Sequence, residues 1–226
     1  MRAFAGDSTM TRRFGTGGHD SHRYGGDTAP VDPPGIYRFA AFISRPVLYG
    51  LYRLRASGVE NVPQSGGCVL ACNHLSNFDP WPLGMPLWPN RWLRFMAKSE
   101  LYWWPQRLVL NAAGAFKVQR GIGDMEAIAT AVRLAREGHV VAMFPEGTRR
   151  RKGLRKKHHA QAHSGAARIA IEAGVPLVPA GIKGTDGLRR LERWRIRYGR
   201  PVDVSDDAAE TTERLMTAIH ELEDSL

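Results

Sequence analysis

Gly67-Cys-Val-Leu-Ala-Cys-Asn-His74-Leu-Ser-Asn-Phe-Asp79-Pro-Trp81 is the stretch that decides the fold. Its first half, Cys68 to Cys72, is a short apolar run with glycines before it and a polar residue after it. Such a run is typical of a strand that is buried on both faces of a sheet. Its second half carries a histidine and an aspartate five positions apart, and Asp79-Pro80 can open a helix.

The spacing of His74 and Asp79 limits how their side chains can meet. On one regular helix, five residues turn by about 140°, which would point the two side chains apart. They can therefore meet only if His74 stays in the loop and Asp79 lies near the helix start. The carboxylate would then hold one imidazole nitrogen while the other faces a substrate proton. The alternative is an ordinary polar contact, with Asp79 serving only as an N-terminal helix residue.

Length and charge narrow the class of protein. A chain of 226 residues fits one domain with a sizeable core plus a tail. The formal net charge is +10, and much of the excess lies between Arg149 and Lys157. Such a basic cluster indicates an acidic partner, which can be a phosphate-bearing lipid, a cofactor or nucleic acid.

The two cysteines, Cys68 and Cys72, are predicted to be buried free thiols. Within one strand their Cα atoms would lie roughly 13 Å apart at about 3.3 Å per residue, beyond the disulfide limit of about 7 Å. Their free thiols are consistent with a reducing compartment.

The N-terminal part of the chain divides into two segments. Residues 1–34 are polar and glycine-rich, lack the apolar stretch of a secretory signal, and are predicted to be disordered. Residues 35–57 are predicted to form a membrane-associating helical segment, which Arg45-Pro46 should kink or divide. The charge of Arg45 argues against a membrane-spanning helix and favours one lying in the membrane interface. The alternative is a helix packed on the domain, with its arginines reaching to solvent.

Tryptophans are concentrated just after the central stretch. Five of the six lie within residues 81–104, and this side chain favours membrane interfaces. Adjacent Trp103 and Trp104 point in different directions in any regular element, so at least one is expected to be exposed or bound to something apolar.

The rest of the chain, residues 58–226, is predicted to be one α/β domain with a largely parallel central sheet flanked by helices. His74 and Asp79, Arg120, and the stretch Glu146–Arg149 all follow predicted strands, so they are expected to converge on one site. Beyond the central strand, the apolar patterns predict strands over 111–121, 139–144, 175–182 and 194–198, and helices over 125–137, 164–173 and 211–226.

The chemistry of these residues indicates acyl transfer to a hydroxyl. A histidine oriented by a carboxylate can remove the proton of an alcohol that attacks a carbonyl. Arginines that follow neighbouring strands can hold a phosphate, since the guanidinium group matches its geometry. A serine hydrolase is less favoured because no Gly-x-Ser-x-Gly motif occurs, and a nucleotide hydrolase lacks its phosphate-binding loop.

Four blocks in order resemble the 1-acyl-sn-glycerol-3-phosphate acyltransferase family. Asn73-His74-x4-Asp79 resembles its His-x4-Asp signature, and Lys98-Ser-Glu-Leu101 its Lys-x-Glu-Leu segment. The family's second block resembles Gly114-Ala-Phe-Lys-Val-Gln-Arg120-Gly121, and its third resembles Phe144-Pro-Glu-Gly-Thr-Arg149. Its fourth block resembles Val175-Pro-Leu-Val-Pro179. The likeness covers roughly residues 36–226. It departs from the family at Gln161-Ala-His-Ser164-Gly165, where members usually carry Phe-Lys-x-Gly.

The resemblance implies a role for each matched residue. His74 would be the general base on the acceptor hydroxyl, and Asp79 would fix its tautomer. The hydroxyl would attack the thioester of acyl-CoA or acyl carrier protein directly and give phosphatidic acid. Phosphate and glycerol of the acceptor would be bound by a set of substrate-binding residues: Lys98, Arg120, Glu146, Gly147, Thr148 and Arg149.

The expected protein is a peripheral or monotopic enzyme on the cytoplasmic face of the cell membrane. Its partners would be a lysophospholipid, an acyl donor and the membrane surface, with no nucleic acid, no bound cofactor and no metal. The alternatives are an acyltransferase for another lysolipid, such as a lyso-ornithine lipid, and a non-catalytic binding protein whose basic loop holds anionic lipid or nucleic acid.

Overall fold

One mixed sheet organises the computed structural model, which describes residues 33–118, 124–147 and 163–226. Five neighbouring strands are parallel, and two strands at one side of the sheet run in the opposite direction. The predicted α/β class and the largely parallel sheet are confirmed. In the described residues the strands are β1 (Arg55–Ser57), β2 (Cys68–Cys72), β3 (Leu93–Lys98), β4 (Ala115–Val118), β5 (Val140–Met143), β6 (Leu177–Lys183) and β7 (Arg195–Tyr198), in the order β1-β7-β6-β2-β5-β3-β4.

Helices cover both faces of this sheet. The N-terminal helices contribute to one apolar cluster and the three long later helices to the other. A π-helical turn at Pro46–Leu51 follows the first helix directly, so the predicted division at Arg45-Pro46 is confirmed. The helices are α1 (Gly35–Arg45), α2 (Pro80–Gly84), α3 (Gln106–Ala112), α4 (Asp124–Arg136), α5 (Gly165–Ala173) and α6 (Ala208–Asp224).

Strand β2 lies at the centre of the sheet and is buried on both faces, as predicted. Cys68, Leu70 and Cys72 point into the cluster beneath α1 and α2, whereas Val69 and Ala71 point into the cluster beneath α4, α5 and α6. Both cysteines are free, which confirms the predicted thiols. Burial raises the pKa of Cys68 to about 12 and that of Cys72 well above its usual range, so both stay protonated.

The strand predicted over 111–121 is wrong in its first part. Helix α3 continues to Ala112, and the strand begins only at Ala115. Gly114 makes the turn between them with φ +89°, where an added Cβ would overlap the carbonyl of Leu93. The end of the predicted strand, with Arg120, lies outside the described residues.

Helix α1 is amphipathic. Ala41 and Ser44, together with Leu48 in the turn that follows, are buried against the domain. Among the described residues, no helix combines the length and apolar character needed to cross a bilayer. The segment thus packs on the domain and also presents an apolar outer face. Its exposed large side chains are Ile36, Phe39, Phe42, Ile43, Val47, Tyr49 and Leu51.

A buried arginine ties the starts of two central strands together. The Arg91 side chain is 3% exposed, and its Nη2 donates hydrogen bonds to the carbonyls of Gly66 and Gly138, the latter at 3.0 Å. His139 packs edge-on against Trp92 beside this clamp. Burial, with a smaller contribution from Arg94, lowers the pKa of His139 to about 4, so the imidazole is neutral at pH 7.

We expect Gly67→Ala to destabilise the protein by about 3 kcal/mol, because an added Cβ would overlap the backbone carbonyl of Ala135 at the end of α4. Urea unfolding measures the change. Gly35→Ala is the matched control, since nothing lies within 4 Å of its Cβ position. Equal stability of the two variants would contradict the close approach of α4 to the start of β2.

Candidate active site

The candidate site lies where three central strands end at the carboxyl edge of the sheet. His74 follows β2, Glu146 and Gly147 follow β5, and Thr185 follows β6, the strand on the other side of β2. Ligands of open α/β sheets bind at this edge, so the topology brings side chains from distant parts of the chain together.

His74 and Asp79 meet as the spacing predicted. His74 lies in the loop after β2, and Asp79 is the residue that precedes helix α2. Nδ1 of His74 is 2.8 Å from Oδ2 of Asp79. An ionised carboxylate only accepts hydrogen bonds, so Nδ1 carries the proton and Nε2 of the neutral ring has a free lone pair.

Asp79 is completely buried, and both of its oxygens are hydrogen-bonded. Besides His74, Oδ2 accepts from the backbone N–H groups of Leu75 and Ser76, at 2.7 and 2.8 Å. Oδ1 accepts from the hydroxyl of Thr185 at 2.6 Å. A buried charge is stabilised when it is paired and hydrogen-bonded. These donors therefore keep the carboxylate in one orientation.

Asn73 fastens the catalytic loop to strand β6. Its amide nitrogen donates to the carbonyl of Ile182 at 3.0 Å, and its amide oxygen accepts from the N–H of the same residue at 2.8 Å. The side chain thereby continues the pairing of β2 with β6 beyond the last backbone partners, Cys72 and Ala180. His74 thus leaves the sheet from a fixed point.

The ring of His74 is held on its flat side as well. It stacks on Phe144 with ring centroids 4.3 Å apart and an angle of 26° between the planes. The side chain is 18% exposed, and Nε2 has no hydrogen-bond partner among the described residues. The ring is therefore immobilised, with its basic nitrogen available to a substrate.

Glu146 and Gly147 lie at the same edge, as the sequence predicted. Glu146 is buried. The pKa of Cys72 is raised first by burial, then by Asp79 and Glu223, and after these by Glu146. Gly147 has φ +64°, and an added Cβ would overlap the ring of His163. Only glycine combines this conformation with so close a neighbour.

The other predicted substrate-binding residues are not placed by the structure. Arg120, Thr148 and Arg149 lie outside the described residues. Lys98 ends β3, which is two strands away from β2, and only its backbone is described. Their substrate-binding roles stay predictions.

Thr185 and Phe144 are site residues that sequence reasoning missed as side chains with a function. Phe144 belongs to a matched block, but its stacking on His74 depends on the pairing of β2 with β5. Thr185 is 106 residues from Asp79 and follows Gly184 in a short turn. No spacing rule joins two residues so far apart, so only the pairing of β6 with β2 reveals the contact.

The other nucleophiles near His74 are poorly placed for covalent chemistry. The hydroxyl of Ser76 accepts from the N–H of Phe78 and makes no hydrogen bond to His74. Cys72 is fully buried with a raised pKa, so its thiol is neither accessible nor ionised. Among the described residues, the site therefore holds an oriented base without a paired nucleophile.

This arrangement agrees with the comparisons to known proteins. The acyltransferase family profile matches residues 53–183, more than half of the chain and all of the His74–Asp79 loop. The chain belongs to the acyltransferase family. It is therefore an enzyme, and it resembles relatives that carry the name 1-acyl-sn-glycerol-3-phosphate acyltransferase.

Two such relatives are bacterial proteins. The one from Bacillus subtilis is 31% identical over 84% of this chain and 98% of its own length. The one from Haemophilus influenzae is 26% identical over 77% of this chain and 75% of its own length. The crystal structure of the acyltransferase PlsC from Thermotoga maritima shares the fold, with a TM-score of 0.56, 24% identity, and coverage of 84% of this chain and 86% of that one.

Thr185→Val is expected to lower stability by about 2 kcal/mol, because Oδ1 of buried Asp79 loses its only hydrogen-bond donor among the described residues. The acyl-transfer rate should also fall about tenfold, because a less firmly oriented Asp79 raises the activation free energy by about 1.4 kcal/mol. Thr185→Ser keeps the hydroxyl and is the matched control. A valine variant with unchanged unfolding and turnover would show that the hydroxyl does not position Asp79.

Proposed function

We propose that the enzyme moves a fatty acyl group from acyl-CoA or acyl carrier protein to the free hydroxyl of 1-acyl-sn-glycerol 3-phosphate, giving phosphatidic acid. The observation that carries the proposal is the buried, fully hydrogen-bonded Asp79 holding Nδ1 of His74 while Nε2 stays open. The names of the relatives support this acceptor.

His74 acts as the general base in this mechanism. Nε2 takes the proton of the acceptor hydroxyl as the oxygen attacks the thioester carbonyl, and the new ester forms as the carbon–sulfur bond breaks. The proton then passes from the imidazolium to the thiolate, which leaves as a thiol. The Asp79 carboxylate stabilises the imidazolium and keeps the ring in the productive tautomer.

The acyl group passes directly from donor to acceptor. An acyl-enzyme would need a nucleophile beside His74, and neither Ser76 nor Cys72 meets this requirement. A thioester is already reactive toward an oxygen nucleophile, so the reaction needs no bound cofactor and no metal.

The acceptor headgroup is proposed to bind at the end of β5. Gly147 follows β5 at the edge of the sheet that carries His74, and Arg149 comes two residues later in the chain. Thr148, Arg149, Arg120 and Lys98 would supply donors to the phosphate. Glu146 is buried, and a carboxylate has no hydrogen to donate to phosphate, so this side chain would orient a hydroxyl or a cation instead.

The acceptor lives in a bilayer, and the enzyme offers a surface to reach it. Helices α1 and α3 contact each other, and both expose large apolar side chains. Trp103 and Trp104, just before α3, are 60% and 63% exposed, which confirms that at least one of them is exposed. We call the exposed large apolar side chains of α1, of the Pro46–Leu51 turn and of residues 103–109 the apolar surface. It is proposed to rest on the cytoplasmic face of the membrane, on the side of the acyl donors.

His74→Ala is expected to lower acceptor-dependent thiol release from palmitoyl-CoA by 10²- to 10⁴-fold, because the general base is lost. The assay compares release with and without lysophosphatidic acid. His220→Ala, an exposed histidine of α6, is the matched control and should keep the wild-type rate.

Turnover that survives His74→Ala in a folded protein would refute the general-base role. If palmitoyl-CoA gives no release with wild type, acylated carrier protein is the next donor to test. A panel of lysolipids then identifies the acceptor, with lyso-ornithine lipid and lysophosphatidylethanolamine as the competing outcomes.

The double variant Phe39→Ser/Phe42→Ser is expected to weaken binding to phospholipid vesicles by about tenfold or more. Each substitution removes an exposed phenyl ring from the apolar surface, and so removes area that would be buried in the membrane. Vesicle co-sedimentation measures the partition. Met125→Ser changes an exposed apolar side chain on α4, which packs on the other face of the sheet, and should leave binding unchanged. Equal losses in both proteins would rule out α1 as the membrane-facing side.

A further inference from the structure

A pocket outside the His74 site is lined mainly by arginines. Its volume is about 220 Å³, and its walls are Tyr49, Arg53, Leu54, Arg55 and Arg193. Two of these arginines precede or begin β1, and the third lies two residues before β7. The pocket therefore brings together two parts of the chain that are about 140 residues apart in sequence.

The pocket lies on the same edge of the sheet as His74. Arg195, the first residue of β7, pairs both with Arg55 of β1 and with Lys183 at the carboxyl end of β6. The starts of β1 and β7 are therefore level with the ends of the parallel strands. Strand β1 is three positions from β2 in the sheet, which is about 14 Å at 4.8 Å per strand.

The walls of the pocket rest on a rigid frame. The N–H of Arg55 donates to the carbonyl of Trp194 at 2.9 Å, and the N–H of Trp194 donates to the carbonyl of Tyr52 at 3.1 Å. The rings of Tyr52 and Trp194 stack with centroids 4.1 Å apart. The backbone that carries Arg53, Arg55 and Arg193 is therefore held in place by these contacts.

Two residues at this place have a backbone conformation that side chains rarely adopt. Arg53 has φ +49° and Leu191 has φ +51°. Nη2 of Arg53 donates to the carbonyl of Leu191 at 3.3 Å, which joins the two. Such strained residues persist where surrounding structure holds them, and they cluster at binding sites.

In the part of the chain that the structure describes, no salt bridge neutralises the charge of the pocket. Within the described residues, Arg53, Arg55 and Arg193 form no salt bridge. The carboxylate of Glu192, next in sequence to Arg193, packs against Gly187 and lies 3.8 Å from Arg190. Arg45 is a further cation close to Tyr49, with its guanidinium carbon 5.6 Å from the centroid of the tyrosine ring. Guanidinium groups gathered without carboxylates form a favourable site for an anion.

We propose that this pocket binds a phosphate group of a ligand other than the acceptor. The inference rests on the proposed function, in which the acceptor hydroxyl is at His74. Hydroxyl and phosphate are on adjacent carbons of the glycerol, so the acceptor phosphate must stay near His74. It cannot also reach a pocket beside β1, a strand about 14 Å across the sheet from β2. The phosphate at the arginines therefore belongs to a second molecule.

Two sources supply this phosphate chemistry. One is the nucleotide end of the acyl-CoA donor, which a long flexible arm separates from the thioester at His74. The other is the headgroup of an anionic lipid, because Tyr49 belongs both to the pocket and to the apolar surface. Both are phosphate esters, and the arms of one experiment separate them.

The experiment measures binding without turnover. Isothermal titration calorimetry uses adenosine 3′,5′-bisphosphate as the nucleotide probe, and co-sedimentation uses vesicles of phosphatidylcholine with and without phosphatidylglycerol. Arg55→Gln and Arg193→Gln are compared with Arg200→Gln, an exposed arginine that follows β7 at the opposite edge of the sheet. All three variants lose one positive charge, so any difference between them comes from the pocket.

Each pocket variant is expected to weaken one of the probes about fivefold to tenfold relative to Arg200→Gln, as loss of one charge-assisted contact predicts. Weaker binding of the bisphosphate to the pocket variants identifies the nucleotide of the donor as the ligand. Weaker binding to phosphatidylglycerol vesicles identifies a lipid headgroup. If neither probe distinguishes the pocket variants from the control, the pocket proposal is overturned. His74→Ala should bind both probes normally, so failure of the proposed base would appear in turnover and not in these titrations.

Discussion

The buried carboxylate of Asp79 is the constraint on which the rest of the site depends. A charge with no exposure to water requires donors on both oxygens, and the chain supplies them from two distant places. The loop after β2 provides an imidazole and two backbone N–H groups, while the turn after β6 provides the hydroxyl of Thr185. The local motif is therefore complete only when β6 pairs with β2, so the sheet and the site form together.

The two edges of the sheet have different tasks. At the amino edge, buried Arg91 binds the carbonyls of Gly66 and Gly138 and fixes where β2 and β5 begin. At the carboxyl edge, the same two strands are followed by His74 and Phe144, whose rings stack. Fixing the strand starts also fixes the register at their ends. The ring position of His74 is thus set by contacts made at both edges.

Local patterns predict those parts of the fold that are determined by local interactions. The apolar run Cys68–Cys72 predicts a buried strand, and the glycines after α4 and α5 predict the ends of these helices. The structure confirms both predictions. Strand β3 was not predicted, because Arg94 interrupts its apolar run and it lies in a stretch rich in tryptophan and proline. Thr185 and the arginine pocket were not predicted either. Both depend on which strands become neighbours, and a single sequence does not state that order.

The N-terminal segment joins the apolar surface to the active edge in one short stretch. Leu48 is fully buried, and its carbonyl accepts from the N–H of Leu54, which ties the turn after α1 to the start of β1. The large apolar side chains that face outward lie at or before Leu51, and Arg53 and Arg55 lie on either side of Leu54. If α1 lies in the membrane interface, this short rigid connection places the arginines at headgroup depth. The edge that carries His74 then opens toward the layer in which a lysolipid acceptor is dissolved.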